Sequence, residues 1–232
     1  MKLLAIDCST AACSVALSLN GETTECLELA AREHTQKLLP MVSEILSDSG
    51  VSLQHLDGIS FGRGPGSFTG LRICLGAVQG LAFGADLPVI PISSLAALAQ
   101  TAIDKHAVTS DSRVLSTLDA RMDEIYWGMY CTQDGLVESV STEYLTSPED
   151  LNIPAGQPDQ VEIVATGTGM QYGHRIACRN DVQILDPDLL PTATAVLRLA
   201  CAEYQKGHFY DAHEALPIYL RDQVTWKKLA QQ

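Results

Sequence analysis

The sequence predicts an α/β protein made of two related halves, each with a mixed β-sheet flanked by helices. The order strand, strand, strand, helix, strand, helix runs once from residue 3 and again from residue 114. The first strand of each series ends in an aspartate, which is Asp7 in one and Asp119 in the other. Such a repeated order indicates a duplication, with a first half at 1–104 and a more eroded second half at 105–232.

The elements of the first half follow from apolar periodicity and turn residues. Segments of alternating polarity predict strands, and Asn20-Gly21 between two of them is typical of a hairpin turn. A wide apolar arc predicts the first helix, in which Pro40 requires a start near residue 35 or 36. Thr69 is expected to cap the second helix, and Ser93 or Ser94 the third. The expected elements are strands at 3–7, 13–19, 23–29, 57–62 and 88–92 and helices at 35–49, 70–84 and 93–102.

The second half is expected to repeat this series after a polar stretch at 104–112. Gly and Asp residues separate its strands, and a Pro- and Asp-rich link covers 147–159. The expected elements are strands at 114–119, 124–131, 136–142, 161–165 and 182–185 and helices at 170–178 and 194–206.

The helix at 70–84 is apolar on nearly all sides and follows a loop that contains four glycines and one proline. A helix of this kind must be covered on two sides. One cover is the chain's own sheet, and the other is either a second internal layer or another protein. Gly76, Gly80 and Gly84 recur every fourth residue, which favours close approach by a helix; packing on the chain's own first helix is the alternative.

Composition excludes several classes of protein. No apolar run reaches the ~18 residues of a membrane span, and no signal peptide is recognisable. The seven cysteines include no Cys-x-x-Cys pair, which is typical of reduced cysteines in a cytosolic protein. A formal net charge of −13 makes the chain a poor binder of nucleic acid on its own. The basic residues Arg221, Lys227 and Lys228 are interpreted as a solvated tail.

No residue pattern specifies a catalytic or metal centre. The glycine loop at 62–70 lacks the lysine of a Walker A loop, so a structural loop is favoured over a phosphate cradle. Asp119, Asp123 and Glu124 offer oxygens for Mg²⁺ but are interpreted as a solvated turn that Arg121 neutralises. The six histidines show no metal-ligand spacing, and His34 is interpreted as a packing or hydrogen-bonding residue, not as a base.

Five segments carry a resemblance to a known family. The chain resembles the TsaB (YeaZ) family of bacterial tRNA threonylcarbamoyladenosine synthesis, in the actin-like ATPase superfamily. The resemblance implies a partner, the paralogue TsaD, which transfers threonylcarbamoyl from an adenylate to N6 of the adenosine next to the anticodon; the ATPase TsaE joins them. The segments are Ile6-Asp7-Cys8-Ser9-Thr10, Glu33-His34-Thr35-Gln36, Gly64-Pro65-Gly66-Ser67-Phe68-Thr69-Gly70-Leu71-Arg72, Leu118-Asp119-Ala120-Arg121-Met122-Asp123-Glu124-Ile125-Tyr126 and Pro217-Ile218-Tyr219-Leu220-Arg221.

The resemblance also implies that this chain has no catalytic centre or metal site. The catalytic paralogue carries His-His-Met-Glu-Gly-His where this chain has 93–98, and two of those histidines bind the metal. Ser94 and Leu98 stand at the ligand positions here, and neither side chain suits zinc or iron. Asp7, Ser9 and Thr10 match the phosphate-binding segment of actin-like proteins, but Cys8 replaces the usual glycine, so these three form a candidate vestigial nucleotide site.

The function expected from these observations is that of a non-catalytic scaffold subunit. It pairs with TsaD, or with a second copy when alone, and contacts tRNA only through the complex, in the cytoplasm and without a membrane. It has no cofactor of its own, although ATP or ADP at a subunit seam is an open possibility. The alternatives are a glycoprotease-type metallopeptidase, an actin-like phosphotransferase and a purely structural homodimer. The expected partner-interface residues are Leu38, Met41, Val42, Ile45, Ile73, Gly76, Ala77, Gly80 and Phe83.

Overall fold

The computed structural model describes residues 1–30, 32–106, 108–153, 161–176 and 182–221. The first half contains a five-stranded sheet in the order β3-β2-β1-β4-β5. Strands β1, β2 and β3 are antiparallel neighbours, whereas β4 runs parallel to both β1 and β5. Its elements are β1 Lys2–Asp7, β2 Ala12–Leu19, β3 Glu22–Leu29, α1 His34–Asp48, β4 Gly58–Gly64, α2 Phe68–Ala85, β5 Val89–Ser93 and α3 Ser94–Lys105.

The second half repeats this arrangement in a sheet with the order β11-β10-β6-β7-β8, and β9 adds to β7. As in the first sheet, the opening strand β6 is antiparallel to the strand that follows it and parallel to a later one, β10. The fold class is therefore confirmed: two mixed sheets flanked by helices. Its elements are β6 Arg113–Arg121, β7 Glu124–Gln133, β8 Leu136–Ser139, β9 Tyr144–Thr146, β10 Ile163–Thr166, β11 Val182–Asp186 and α4 Ala193–Gln205.

Helices α3 and α4 form a shared layer between the two sheets. Helix α3 comes from the first half but contacts β6, β7 and β8, whereas α4 comes from the second half and contacts β1, β2 and β5. Leu95 of α3 and Val196 of α4 belong to one buried cluster with Leu3 and Val114 of the two sheets. The predicted division at 104/105 therefore lies between the two sheets. It does not separate two hydrophobic cores, because one buried cluster includes residues of both halves. As a domain boundary, it stays a prediction.

Helices α1 and α2 cover the outer face of the first sheet. Leu38 and Val42 of α1 and Val78 of α2 pack with Ile6 and Phe61 of the strands in a second cluster. This layer is distinct from the α3–α4 layer because the side chains of a strand alternate between the two faces of a sheet. The sheet thus buries one side of α2, as its composition predicted.

Three expected elements differ from the structure. Helix α2 begins at Phe68 with Ser67 as its cap, not at residue 70 with Thr69, because the Ser67 hydroxyl accepts the amide of Gly70 at 3.3 Å. The expected strand at 136–142 ends at Ser139, and a separate strand, β9, follows. The expected helix at 170–178 is a short 3₁₀ turn, Thr168–Tyr172, within the described residues; positions 177 and 178 lie outside them.

Candidate functional site

The loop after β1 is bound by the glycine loop that leads into α2. The amide of Ser67 donates to the carbonyl of Ser9 at 2.7 Å. A side chain at Gly66 would place its Cβ 2.3 Å from the same carbonyl, and one at Gly70 would lie 2.0 Å from the carbonyl of Cys8. These glycines let two backbone segments touch. The amide of Ser67 is therefore bonded to a carbonyl of the chain itself and is not free to bind a phosphate. This contact supports the structural interpretation of the glycine loop over a phosphate cradle.

Two of the three residues of the candidate vestigial nucleotide site are closed to solvent, and the third, Thr10, is half-buried. Asp7 and Ser9 are 0% and 1% exposed, and Oδ1 of Asp7 accepts both the amide and the hydroxyl of Ser9, at 3.0 and 2.8 Å. The Thr10 hydroxyl accepts the amide of Ala12 at 3.2 Å. Burial raises the pKa of Asp7 to about 6, against the lowering effect of the Ser9 hydrogen bonds. A nucleotide would reach Asp7 and Ser9 only if the loop moved, and the site stays a prediction.

The residues at the paralogue's metal-ligand positions do not fit a metal. Ser94 and Leu98 are both fully buried on α3. Leu98 packs against Gly167, where an added Cβ would lie 2.5 Å from its Cδ2 and 2.2 Å from the carbonyl of Thr117. The apolar side chain of Leu98 supplies no ligand at the second histidine position, and the neutral hydroxyl of Ser94 is a poor ligand at the first. This donor set would not retain zinc or iron.

The acidic turn between β6 and β7 is neutralised, as predicted, but by three arginines instead of one. Only the pairing with Arg121 was expected, because the other two arginines are distant in sequence. The ion pairs are Asp119–Arg121 at 3.0 Å, Asp123–Arg175 at 3.1 Å and Glu124–Arg221 at 2.6 Å. Each of the three carboxylates that could bind a Mg²⁺ ion is therefore paired with an arginine side chain.

Two further clusters of polar side chains were not predicted from the sequence. Glu143 accepts hydrogen bonds from Ser93 of the first half and, at 2.9 Å, from Tyr130 of the second, which joins the halves at the start of α3. Burial, with the Glu143 charge second, raises the pKa of Tyr130 well above its ordinary value. Within the described ranges, the ligand atoms of one group lie close enough together to hold a metal ion, but all three residues are exposed and two of them form a capping box: Asp211, His213 and Glu214. No sequence spacing signals the Glu143 cluster.

The predicted partner surface divides into a buried part and an open part. Four of its residues on α1 are only 1–3% exposed and belong to the chain's own core, so they are not available to a partner: Leu38, Met41, Val42 and Ile45. Their assignment to the interface is corrected on this ground. The apolar arc of α1 is filled by the sheet and α2, and its periodicity could not reveal which cover it has.

The outer side of α2 is open. Gly76, Gly80 and Gly84 are exposed, and a Cβ added at any of them would meet nothing within 4 Å. Packing of these glycines on the chain's own first helix is therefore wrong. Phe83 is 83% exposed, and Ile73 and Ala77 are half-buried. The five predicted interface residues of α2 therefore remain accessible, and their role at an interface stays a prediction: Ile73, Gly76, Ala77, Gly80 and Phe83.

Helix α2 is also long and apolar enough to cross a membrane by length and composition, with 28% of the span buried. One such helix is weak evidence for a membrane span, since Cys74, Val78 and Ala82 on its inner side pack into the core beneath it.

Aromatic side chains lie at one end of the open face of α2. The Arg72 guanidinium lies 3.8 Å from the centre of the Phe68 ring, and the Tyr219 ring packs beside Phe68.

Comparison with known proteins identifies the family. A family model described as TsaD, tRNA N6-adenosine threonylcarbamoyltransferase, matches residues 28–230. A Haemophilus influenzae relative named tRNA threonylcarbamoyladenosine biosynthesis protein TsaB is 44% identical across 99% of this chain and 97% of its own length. An Escherichia coli relative of the same name is 43% identical across 99% and 98%. The chain belongs to the TsaB family.

The fold comparison agrees with the sequence comparison. A solved structure described as YeaZ from Pseudomonas aeruginosa superposes with a TM-score of 0.87 at 43% identity, covering 94% of this chain and 99% of that chain. Membership of the TsaB family therefore holds over both halves of the chain. It also confirms the resemblance on which the comparison of Ser94 and Leu98 with a histidine-bearing paralogue depends.

Proposed function

We propose that this chain is the non-catalytic scaffold subunit of a complex that makes threonylcarbamoyladenosine in tRNA. The relatives from two bacteria are named for that pathway, and the matching family model carries the name of the transferase itself. The proposed partners are TsaD, which performs the transfer, and TsaE. The proposed location is the cytoplasm, and tRNA is contacted through the complex because the chain's net charge of −13 opposes binding on its own.

The observation that carries this proposal is the uncovered glycine face of α2. A glycine in an exposed helix costs about 1 kcal/mol relative to alanine. A side chain at Gly76, Gly80 or Gly84 would meet nothing of this chain within 4 Å, so no close packing among the described residues requires glycine there. A helix from another subunit can approach a surface without side chains closely, and the packing gained there offsets the cost. We assign TsaD to this face, and a second copy of the chain when TsaD is missing.

The lack of a catalytic role rests on side chains. The positions of the paralogue's histidines hold a buried serine and a buried leucine, Ser94 and Leu98, and arginines pair with the carboxylates of the acidic turn. The metallopeptidase and the phosphotransferase both need groups that these positions do not supply. ATP or ADP at the seam between subunits remains part of the proposal. Asp7 and Ser9 are buried within the chain, so the proposed nucleotide would bind at the seam and not at these two residues.

Reconstitution tests the proposal. Purified chain, TsaD, TsaE, the adenylate donor and tRNA are combined, and each is omitted in turn, with modified adenosine as the readout. Gly80→Arg should abolish both copurification with TsaD and tRNA modification. Thr142→Arg adds the same charge at an exposed position of the second half and should change neither. Full modification without this chain, or normal pairing by a folded Gly80→Arg variant, would refute the scaffold role.

A further inference from the structure

Two buried oxygen atoms of the first half have no hydrogen-bond partner among the described residues. One is Oδ2 of Asp7, at the end of β1, and the other is Oγ of Ser94, the first residue of α3. Both residues are 0% exposed. A buried oxygen without a hydrogen bond loses its interaction with water on folding and gains nothing in return. Buried polar atoms without a partner are uncommon in folded proteins, and each of them requires an explanation such as a bound water or ion.

The two atoms border the same point, at Gly62 of β4. A Cβ added there would lie 1.9 Å from Oδ2 of Asp7 and 3.5 Å from Oγ of Ser94. The separation of the two oxygens cannot exceed the sum of these distances. One molecule that forms two hydrogen bonds of about 2.8 Å can span that gap.

We propose that one water molecule binds between Oδ2 of Asp7 and Oγ of Ser94. It donates one proton to the carboxylate oxygen and forms its second hydrogen bond with the serine hydroxyl, which donates or accepts. The water thereby links the end of β1 to the start of α3, the helix of the first half that packs against the second sheet. This inference is independent of the proposed function.

A cation fits the same place less well. Mg²⁺ and Ca²⁺ take about six or more oxygen ligands, and the two orphaned side chains supply two. Ser94 also opens a helix of 12 residues, and the amide end of a helix carries a partial positive charge that repels cations. Water, which needs two to four polar partners, matches the donors and acceptors present.

The hydrogen bond from the water also acts on the ionisation of Asp7. With burial and the Ser9 hydrogen bonds alone, the pKa of Asp7 is about 6. A donor at Oδ2 favours the charged form, so the pKa measured in the wild-type protein should lie below 6. Loss of the Ser94 anchor should loosen the water and bring the pKa back up.

A crystal structure of the wild-type chain, at a resolution that shows ordered waters, tests the site directly. We expect density for one water within hydrogen-bond distance of both oxygens. A direct hydrogen bond between the two side chains, an anomalous peak from a metal ion, or an empty gap would overturn the proposal.

An NMR titration of the Asp7 carboxyl carbon gives a second readout. In Ser94→Ala we expect proton binding by Asp7 to tighten about threefold or more. Ser60→Ala is the matched control, because Ser60 is also fully buried but lies on β4, and its hydroxyl donates to the carbonyl of Leu4. It should leave the titration unchanged. An unchanged pKa in a folded Ser94→Ala variant would contradict the bridge. If that variant does not fold, the wild-type density decides.

Discussion

The open face of α2 makes an unusual prediction, namely that removing two of its glycines stabilises the monomer and weakens the complex. Alanine at Gly76 and Gly80 adds a methyl group that meets nothing within 4 Å, so the change is free of steric cost. Each replacement recovers about 0.8–1.0 kcal/mol of helix propensity, or about 2 kcal/mol for the pair. For a chain of this size, that corresponds to a rise in melting temperature of about 4–8 °C.

The assay is thermal or urea denaturation of the double variant Gly76→Ala/Gly80→Ala, at a concentration where light scattering shows a monomer. Copurification with TsaD is measured on the same preparations. We expect higher stability together with weaker pairing, because the added methyl groups hold a partner helix away from the surface. A less stable double variant would refute the reasoning, since it would mean that the glycines pack inside the chain. A more stable variant with unchanged pairing would remove this face from the interface.

Three further predictions follow from other contacts. Gly66→Ala and Gly70→Ala each push a Cβ into a carbonyl at 2.3 or 2.0 Å and should cost at least about 1–3 kcal/mol in urea denaturation; a neutral result would mean that the loops do not touch. Arg221→Ala removes a mostly buried ion pair with Glu124 and a hydrogen bond to a carbonyl, at about 2 kcal/mol. In contrast, Arg121→Ala, whose side chain is 87% exposed, should cost under about 1 kcal/mol; equal losses would contradict this distinction. Elemental analysis of the purified chain should find no stoichiometric zinc or iron, and a bound metal would contradict the donor-set argument.

Local sequence was sufficient to predict most of the elements. The hairpin at Asn20-Gly21 forms with positive φ at both residues, 54° and 93°, as its turn chemistry requires. The start of α2 was misplaced because Ser67 and Thr69 are both good capping residues, and only the geometry of the glycine loop selects between them. Within the described residues, the expected helix at 170–178 was wrong, because a short segment after a glycine turn does not by itself distinguish an α-helix from a 3₁₀ turn.

The candidate site was harder to predict than the fold. The apolar arc containing Leu38 and Val42 predicted a buried face correctly, but it could not say whether the cover was foreign or the chain's own. The contact between Ser9 and Ser67 is made by backbone atoms, which leave no side-chain signature. Glu143 meets Ser93 and Tyr130 only because the second sheet packs on α3, a contact between the halves that no local pattern encodes.

The sequence by itself determined the duplicated α/β architecture, the family and the absence of imidazole ligands at positions 94 and 98, because periodicity, turn residues and motifs are properties of neighbouring residues. The tertiary structure alone decided that the inner face of α1 is filled from within, that the glycines of α2 face open space, and that two buried oxygens meet without a partner. Each of these features depends on contacts between segments that are distant in the sequence. The burial of a side chain and its hydrogen bonds are therefore determined only once those segments have packed together.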